Sequence, residues 1–181
     1  VRIVHRHADR RAQVDHLRGS DDFVLDRIGV EAEVARVSAE HVIELLEQRA
    51  TDATGDVLYA QLGIGGSSAP PLDPALARLL PDAYRGDEHA ASDHRRLTER
   101  SLVERKVANA ARVVADLSSR QVLLDAVAVQ SWLRTLTDLR LALAARLQIE
   151  TDGDTGLGDE DMLIVYDWLG YLQGSLVEAI E

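Results

Sequence analysis

Cysteine is absent from all 181 residues, which excludes a disulfide framework, a thiolate nucleophile, a zinc–thiolate site and a thiol redox switch. Aromatic residues make up only 4% of the chain, a balance that favours helices over sheet faces. Lysine occurs once, at Lys106, against nineteen arginines, a skew that fits a GC-rich genome. No apolar run approaches the roughly 18 residues of a membrane span. The opening Val1-Arg2-Ile3-Val4-His5 lacks the apolar stretch of a secretory signal, so a cytoplasmic protein with no membrane contact is expected.

What is present is 46% hydrophobic residue, supplied almost entirely by leucine, alanine and valine. That is enough to close the core of one domain, and it points to a mainly helical one. The net charge of -11 is unevenly placed: residues 150–181 hold nine acids and no lysine or arginine, leaving 22 acids against 20 bases in residues 1–149. A DNA duplex repels that acidic pole, so direct DNA binding is expected to be weak, or to arrive through a protein partner.

Residues 1–29 read as an N-terminal segment with short strands at Val1–Val4 and Asp22–Ile28, followed by a helical domain over 30–181. Apolar residues at helical spacing (Val30, Val34, Val37, His41, Leu45) mark a first long helix ending near Arg49. A loop covers 51–71. Asp73 and Pro74 start a short helix, the carboxylate accepting from a free backbone N–H and the proline filling the first helical position, and Pro81 stops it after Leu80. Val103, Val107, Ala110, Val114 and Leu117 continue a second long helix that starts near Ser92 or Thr98. Arg120–Leu124 reads as an extended link and Asp125 as a cap for a third helix striped by Val129, Trp132, Leu136, Leu139, Leu143 and Leu147. After a loop at Thr151–Gly158, acids at Asp159–Asp161 sit at the positive end of a fourth dipole. Met162, Val165, Leu169, Leu172, Leu176 and Ile180 stripe that last helix. Four long helices and one short one describe a helical bundle.

Several constellations imitate chemistry without completing it. Gly63-Ile64-Gly65-Gly66-Ser67-Ser68-Ala69-Pro70-Pro71 lacks the third glycine of a dinucleotide fingerprint, the helix after it and the Gly-Lys pair of a P-loop. An EF-hand starting at Asp152 needs glycine at 157 and glutamate at 163, and both positions are leucine. His89 and His94 are five apart, about 140° around a helix, which is poor spacing for a shared metal. His5 with His7 is a further histidine pair, and His41 reads as a core or edge residue on its stripe. Gly-x-Ser-x-Gly is absent. No catalytic residue, cofactor site or metal site is therefore assigned.

Arg95, Arg96, Arg100, Arg105, Lys106 and Arg112 make the second long helix the most basic element, but acids three or four residues away, among them Glu99 and Glu104, read as ion-pair partners on a solvated face. A helix-turn-helix over Val24–Ser38 would carry Glu31 and Glu33 against one arginine, Arg36, a poor match to phosphates. Arg140 lies amid Leu136, Leu139, Leu141 and Leu143 and needs a partner if buried, with Asp167 or Asp82 as the expected carboxylate. Asp138 is placed to pair with Arg134. Gly170 and Gly174 each cost the last helix roughly 1 kcal/mol relative to alanine. Close approach of another helix, within the chain or across a homodimer, would offset that cost. Trp132 and Trp168 read as core residues.

The stretch Pro71-Leu72-Asp73-Pro74-Ala75-Leu76-Ala77-Arg78-Leu79-Leu80-Pro81-Asp82-Ala83-Tyr84-Arg85 resembles the signature of an actinobacterial domain-of-unknown-function family. Two further blocks, Trp132-Leu133 through Asp138-Leu139-Arg140 and Val165-Tyr166-Asp167-Trp168-Leu169 with Leu172-Gln173, resemble the family's two C-terminal helices. On this resemblance the residues of note are Asp73, Pro74, Leu79, Pro81, Tyr84, Trp132, Asp138, Arg140 and Trp168. The resemblance implies a cytoplasmic, non-enzymatic protein acting through protein contacts, with the transcription machinery or the Clp protease adaptor pathway as partner. An accessory of the Clp protease adaptor pathway, or a small-ligand or metal-binding helical domain, is the alternative. It also implies a stress-linked transcription role, exercised in a relative through a Cys-x-x-x-Cys pair. A chain with no cysteine cannot inherit that thiol mechanism.

Overall fold

Each of the last four helices begins behind an aspartate. A computed structural model describes residues 2–5, 23–26, 29–52, 67–119, 121–151 and 154–180. Helix α1 spans Gly29–Asp52, α2 Pro74–Leu79, α3 Glu88–Leu117, α4 Ala126–Arg146 and α5 Glu160–Ile180. The Asp73 carboxylate accepts from the amides of Ala75 (2.8 Å) and Leu76 (3.0 Å), Asp87 from Ala90 (2.9 Å) and Asp125 from Ala128 (2.7 Å). Asp159 accepts from Asp161 (3.0 Å). Each such bond satisfies a backbone donor that the helix leaves unpaired, a contribution of about 1 kcal/mol. The mainly helical bundle expected from the sequence is what forms, with α3 starting one turn earlier than Ser92 because Asp87 supplies the cap.

Helix α4 is the hub, packing against α1, α2, α3 and α5. Leu147, just past its end, is buried in a separate cluster with Ala144 and Ile149, while its stripe of Val129, Trp132, Leu136 and Leu139 is buried in the main core. It meets Leu169, Leu172 and Leu176 of α5, Val103, Val113 and Leu117 of α3 and Leu79 of α2 in one core. Met162 and Val165 on α5 are half-buried and Ile180 is exposed.

Helix α1 presents a different face from the one its valines suggest. The buried residues are Ala32, Ala35, Ala39, Val42 and Leu46, while Val37 is 51% exposed and His41 is exposed beside Glu44. At 100° per residue this face lies roughly 140° around the helix from the Val30–Leu45 stripe. Small residues let the backbone of α1 approach α3, the helix along which it packs, and close backbone approach outweighs the larger side chains of the other stripe. His41 is therefore a surface residue and not a core one.

The expected strands form as β1 (Arg2–His5) and β2 (Phe23–Asp26), and the expected link at 120–124 forms a third strand, β3 (Gln121–Leu124). The sheet order is β1-β2-β3, both pairings antiparallel, with Val4 opposite Val24 and Phe23 opposite Leu124. Val122 and Leu124 are buried and Leu123 is exposed, the two-residue alternation of a strand with one covered face. With Val24–Asp26 in a sheet, the helix-turn-helix reading of 24–38 does not hold. His7, residues 53–66 with the glycine-rich motif at 63–66, and residues 152–153 lie outside the described residues. Among the described residues no helix is long and apolar enough to cross a membrane.

Candidate functional site

Among the described residues charged side chains join the helices in several places, and three of these groups differ in what they leave unmatched. The first ties the 67–70 segment to the bundle. Arg49 of α1 grips Glu99 of α3 through Nε–Oε1 at 2.9 Å and Nη2–Oε2 at 3.2 Å, and its Nη2 donates to the Ala69 carbonyl. Arg95, 7% exposed, pairs with Asp82 and donates to the Ser68 carbonyl. Arg95 thus uses Asp82, the carboxylate expected for Arg140, and Glu99 serves α1 instead of its own helix.

The second is Lys106 Nζ to Asp138 Oδ1 at 2.5 Å between α3 and α4. This replaces the expected Asp138–Arg134 pair within α4. Asp138 is 6% exposed, so it faces α3 and away from the surface that Arg134 occupies. Burial pushes the Asp138 carboxyl above its usual 3.8, while the Lys106 hydrogen bond and charge pull it down.

These two groups decide the character of the basic helix. Of its cations, Arg95 and Lys106 point inward, while Arg96 pairs with Asp93, Arg100 with Glu104 and Arg112 with Asp116, three or four residues away. Arg36 of α1 is held by Glu33 and Glu40. The salt-bridged surface expected for α3 is what forms, although the Arg95 or Arg96 to Glu99 pair is not part of it.

The third group surrounds Arg140, and among the described residues it has no carboxylate. Its Nη1 donates to Gln173 Oε1 (3.2 Å) and its Nη2 to Tyr166 Oη (3.3 Å), with Cζ 4.8 Å from the Tyr166 ring centre. Neither Asp167 nor Asp82 reaches it, because Asp167 lies exposed on α5 and Asp82 belongs to Arg95. The Arg140 Nε is buried and has no acceptor among the described residues. Gly170 lies against the head: a Cβ there would stand in van der Waals contact, 3.4 Å from Arg140 Cζ and Nε. The close approach expected of this glycine is therefore to an arginine side chain. Gly174 has nothing within 4 Å of its Cβ position, so no described element covers it.

Arg140 forms one wall of a cleft of about 290 Å³ bounded by α2, α4, α5 and the turn after α4, with Arg78, Tyr166, Gln173 and Glu150 also on its walls. Arg78 donates to the Ile149 carbonyl at 3.2 Å. The three sequence blocks singled out above converge here: Arg78 comes from the first, Arg140 from the second and Tyr166 with Gln173 from the third. Nearby, Asp73 also accepts from Arg146 Nη2 at 2.6 Å, which joins the start of α2 to the end of α4. Burial alone would raise the Asp73 carboxyl, but the hydrogen bonds from Arg146 and the cap amides, with the Arg146 charge, hold it below 3.8.

The remaining residues of note are structural in their contacts. Leu79 and Trp132 are buried, and the Trp132 indole donates to Asp116 Oδ2 at 3.0 Å. Trp168 is half-buried against the core. Pro74 opens α2, Pro81 follows its last turn on the surface, and Tyr84 is half-exposed, edge-on to His94 at 5.8 Å. Among the described residues no three histidines or acids gather as metal ligands. The Asp154 carboxylate instead accepts from the Glu150 and Thr151 amides (2.9 and 2.8 Å), bonds that close a turn and hold it below its usual range. Arg78, Gln173 and Tyr166 escaped assignment from the sequence although all three lie inside the quoted blocks. Only their convergence on Arg140 distinguishes them.

The chain is 34% identical over 172 aligned residues to the oxidative stress regulator AosR of Mycobacterium bovis, covering 81% of this chain and 77% of the relative, and equally so to AosR of Mycobacterium tuberculosis. A Mycobacterium leprae relative is 31% identical over 159 residues, covering 77% of this chain and 73% of its own length. No solved structure matches the chain. The family profile named Domain of unknown function (DUF2017) matches residues 10–180, and the chain belongs to that family.

Proposed function

We propose that this chain is a non-enzymatic regulator of the oxidative-stress response that works in the cytoplasm through protein contacts, with the transcription machinery as its partner. Relatives named as oxidative stress regulators support the stress-response part. The observation that carries the protein-contact part is the state of α3. Five of the six cations on the most basic helix are matched by carboxylates, two of them inside the bundle. A helix that tracks DNA presents cations to phosphates, and matched cations have little left to gain from counterion release. With no cysteine, the input to such a regulator is something other than thiol oxidation.

The test has two arms on the purified chain. Fluorescence anisotropy with duplex DNA at about 150 mM salt is expected to show weak, non-selective binding that disappears as salt rises. Affinity capture with purified RNA polymerase and its sigma factors is expected to retain the chain. Tight, sequence-selective DNA binding by the chain alone would overturn the reading. So would retention by the Clp adaptor together with none by polymerase.

A further inference from the structure

We propose that the cleft between α2, α4 and α5 is a binding site for a small monocarboxylate, whose carboxylate is held by Arg140 and Arg78 and whose apolar body lies along Leu141 and the Tyr166 ring. The inference rests on the geometry of the cleft and stands independently of the regulatory reading.

The argument begins with Arg140. A guanidinium withdrawn from water is ordinarily matched by a carboxylate, because desolvating it without one is costly. Here its partners are neutral: an amide oxygen, a phenol and the face of a ring. These contacts orient the head without neutralising it, and they occupy two of its five N–H donors. The orientation is itself fixed. Gln173 donates through Nε2 to Thr137 Oγ1 at 2.8 Å, and Thr137 donates onward to the Leu133 carbonyl at 2.8 Å. That chain of donors turns the Gln173 oxygen toward Arg140. A cation held rigidly in a part-buried wall, with donors unused and no counterion among the described residues, is the arrangement from which proteins build carboxylate recognition.

The second cation makes the site specific. Arg78 lies on the same cleft, and its one partner among the described residues is the Ile149 carbonyl. Glu150, also on the cleft, is not within ion-pair distance of either arginine among the described residues. Two guanidinium groups and one carboxylate leave a net charge of one unit, which favours a monoanion over a doubly charged phosphate. Leu141, Ala144 and Ile149 supply apolar wall, and about 290 Å³ lies at the small end of ligand sites. Gly170 lies against the same guanidinium, a Cβ there standing 3.4 Å from its Cζ and Nε.

The test uses the full chain and sodium benzoate as probe, with sodium phosphate in a parallel titration at matched ionic strength, followed by amide NMR. Benzoate is expected to give saturable shifts at Thr151, Tyr166 and Gln173 with a dissociation constant of about 1 mM or tighter. Arg140→Met and Arg78→Met are each expected to weaken binding at least about tenfold. Arg78 donates to a single carbonyl, so Arg78→Met keeps the test decisive if Arg140→Met fails to fold. A role confined to stability would change the melting temperature of the variants and leave their titrations alike. The proposal is overturned by absence of saturable shifts, by benzoate binding that Arg78→Met leaves unchanged, or by phosphate binding more tightly than benzoate.

Discussion

Lys106, the only lysine in the chain, donates to Asp138 at 2.5 Å across the interface of α3 and α4. Both side chains are largely withdrawn from solvent, so the partner left behind by a deletion would be a buried, unmatched charge. Lys106→Met is expected to cost about 3–5 kcal/mol in urea denaturation, and Lys106→Met with Asp138→Leu to recover most of that loss. A single-variant cost below about 1 kcal/mol would mean that water already serves this pair.

The same pair has a pH signature. Burial raises the folded-state Asp138 carboxyl above 3.8, so its protonated form favours folding, and that contribution is lost as pH rises through the folded value. Removing Lys106 takes away the groups that lower it. The stability deficit of Lys106→Met should therefore be larger at pH 7 than at pH 4.5, as read from denaturation midpoints at the two values. A deficit that grows on acidification would contradict the assignment.

Asp73 behaves in the opposite sense. Its carboxyl is held below 3.8 by Arg146 and the cap amides, against the effect of burial. The stability it contributes is complete above 3.8 and is lost as pH falls through the folded value. Asp73→Asn keeps a capping oxygen but loses the ion pair, and is expected to cost about 0.5–1 kcal/mol at neutral pH and to flatten the acid limb of the stability curve. Asp73→Ala should cost about 1 kcal/mol more through the lost cap. Identical acid limbs in wild type and Asp73→Asn would refute the account.

The two glycines of α5 separate by substitution. An alanine at 174 meets nothing within 4 Å, so Gly174→Ala should stabilise the chain by about 0.5–1 kcal/mol through helix propensity alone. At 170 the new methyl would touch the Arg140 head at 3.4 Å, and the gain should be smaller. Thermal melts at two protein concentrations check both. If Gly174 seats a second copy of the chain, Gly174→Ala would instead lower the melting temperature and weaken self-association in sedimentation.

Trp132 is both the largest buried side chain and a donor to Asp116. Trp132→Phe removes the donor and some volume, an expected loss of about 2–3 kcal/mol. Asp116→Ala removes the acceptor together with the partner of Arg112 and should cost about 1–2 kcal/mol. Additive losses in the double variant would show that the hydrogen bond contributes nothing of its own.

The family blocks were visible as sequence, but the cleft they build was not. Arg78, Arg140, Tyr166 and Gln173 come from three separate segments, and no spacing rule relates them. Arg140 does take partners, but they are Gln173 and Tyr166 in place of Asp167 or Asp82. Arg95 and Arg140 compete for Asp82, and only the packing of α3 against the 67–82 region decides between them.

What the sequence by itself determined is local. The aspartate caps at 73 and 125, the stop at Pro81 and the leucine stripes of α4 and α5 each depend on residues within about four positions of one another, where chain geometry leaves little choice. What the tertiary structure decided is long-range. The alanine face of α1 turns inward because α3 lies close to it, Phe23 pairs with Leu124 because the chain folds back, and Asp138 takes Lys106 over Arg134 because its side of α4 is the buried one. Those outcomes depend on which surfaces meet, and free energies of burial and ion pairing act only once they have met.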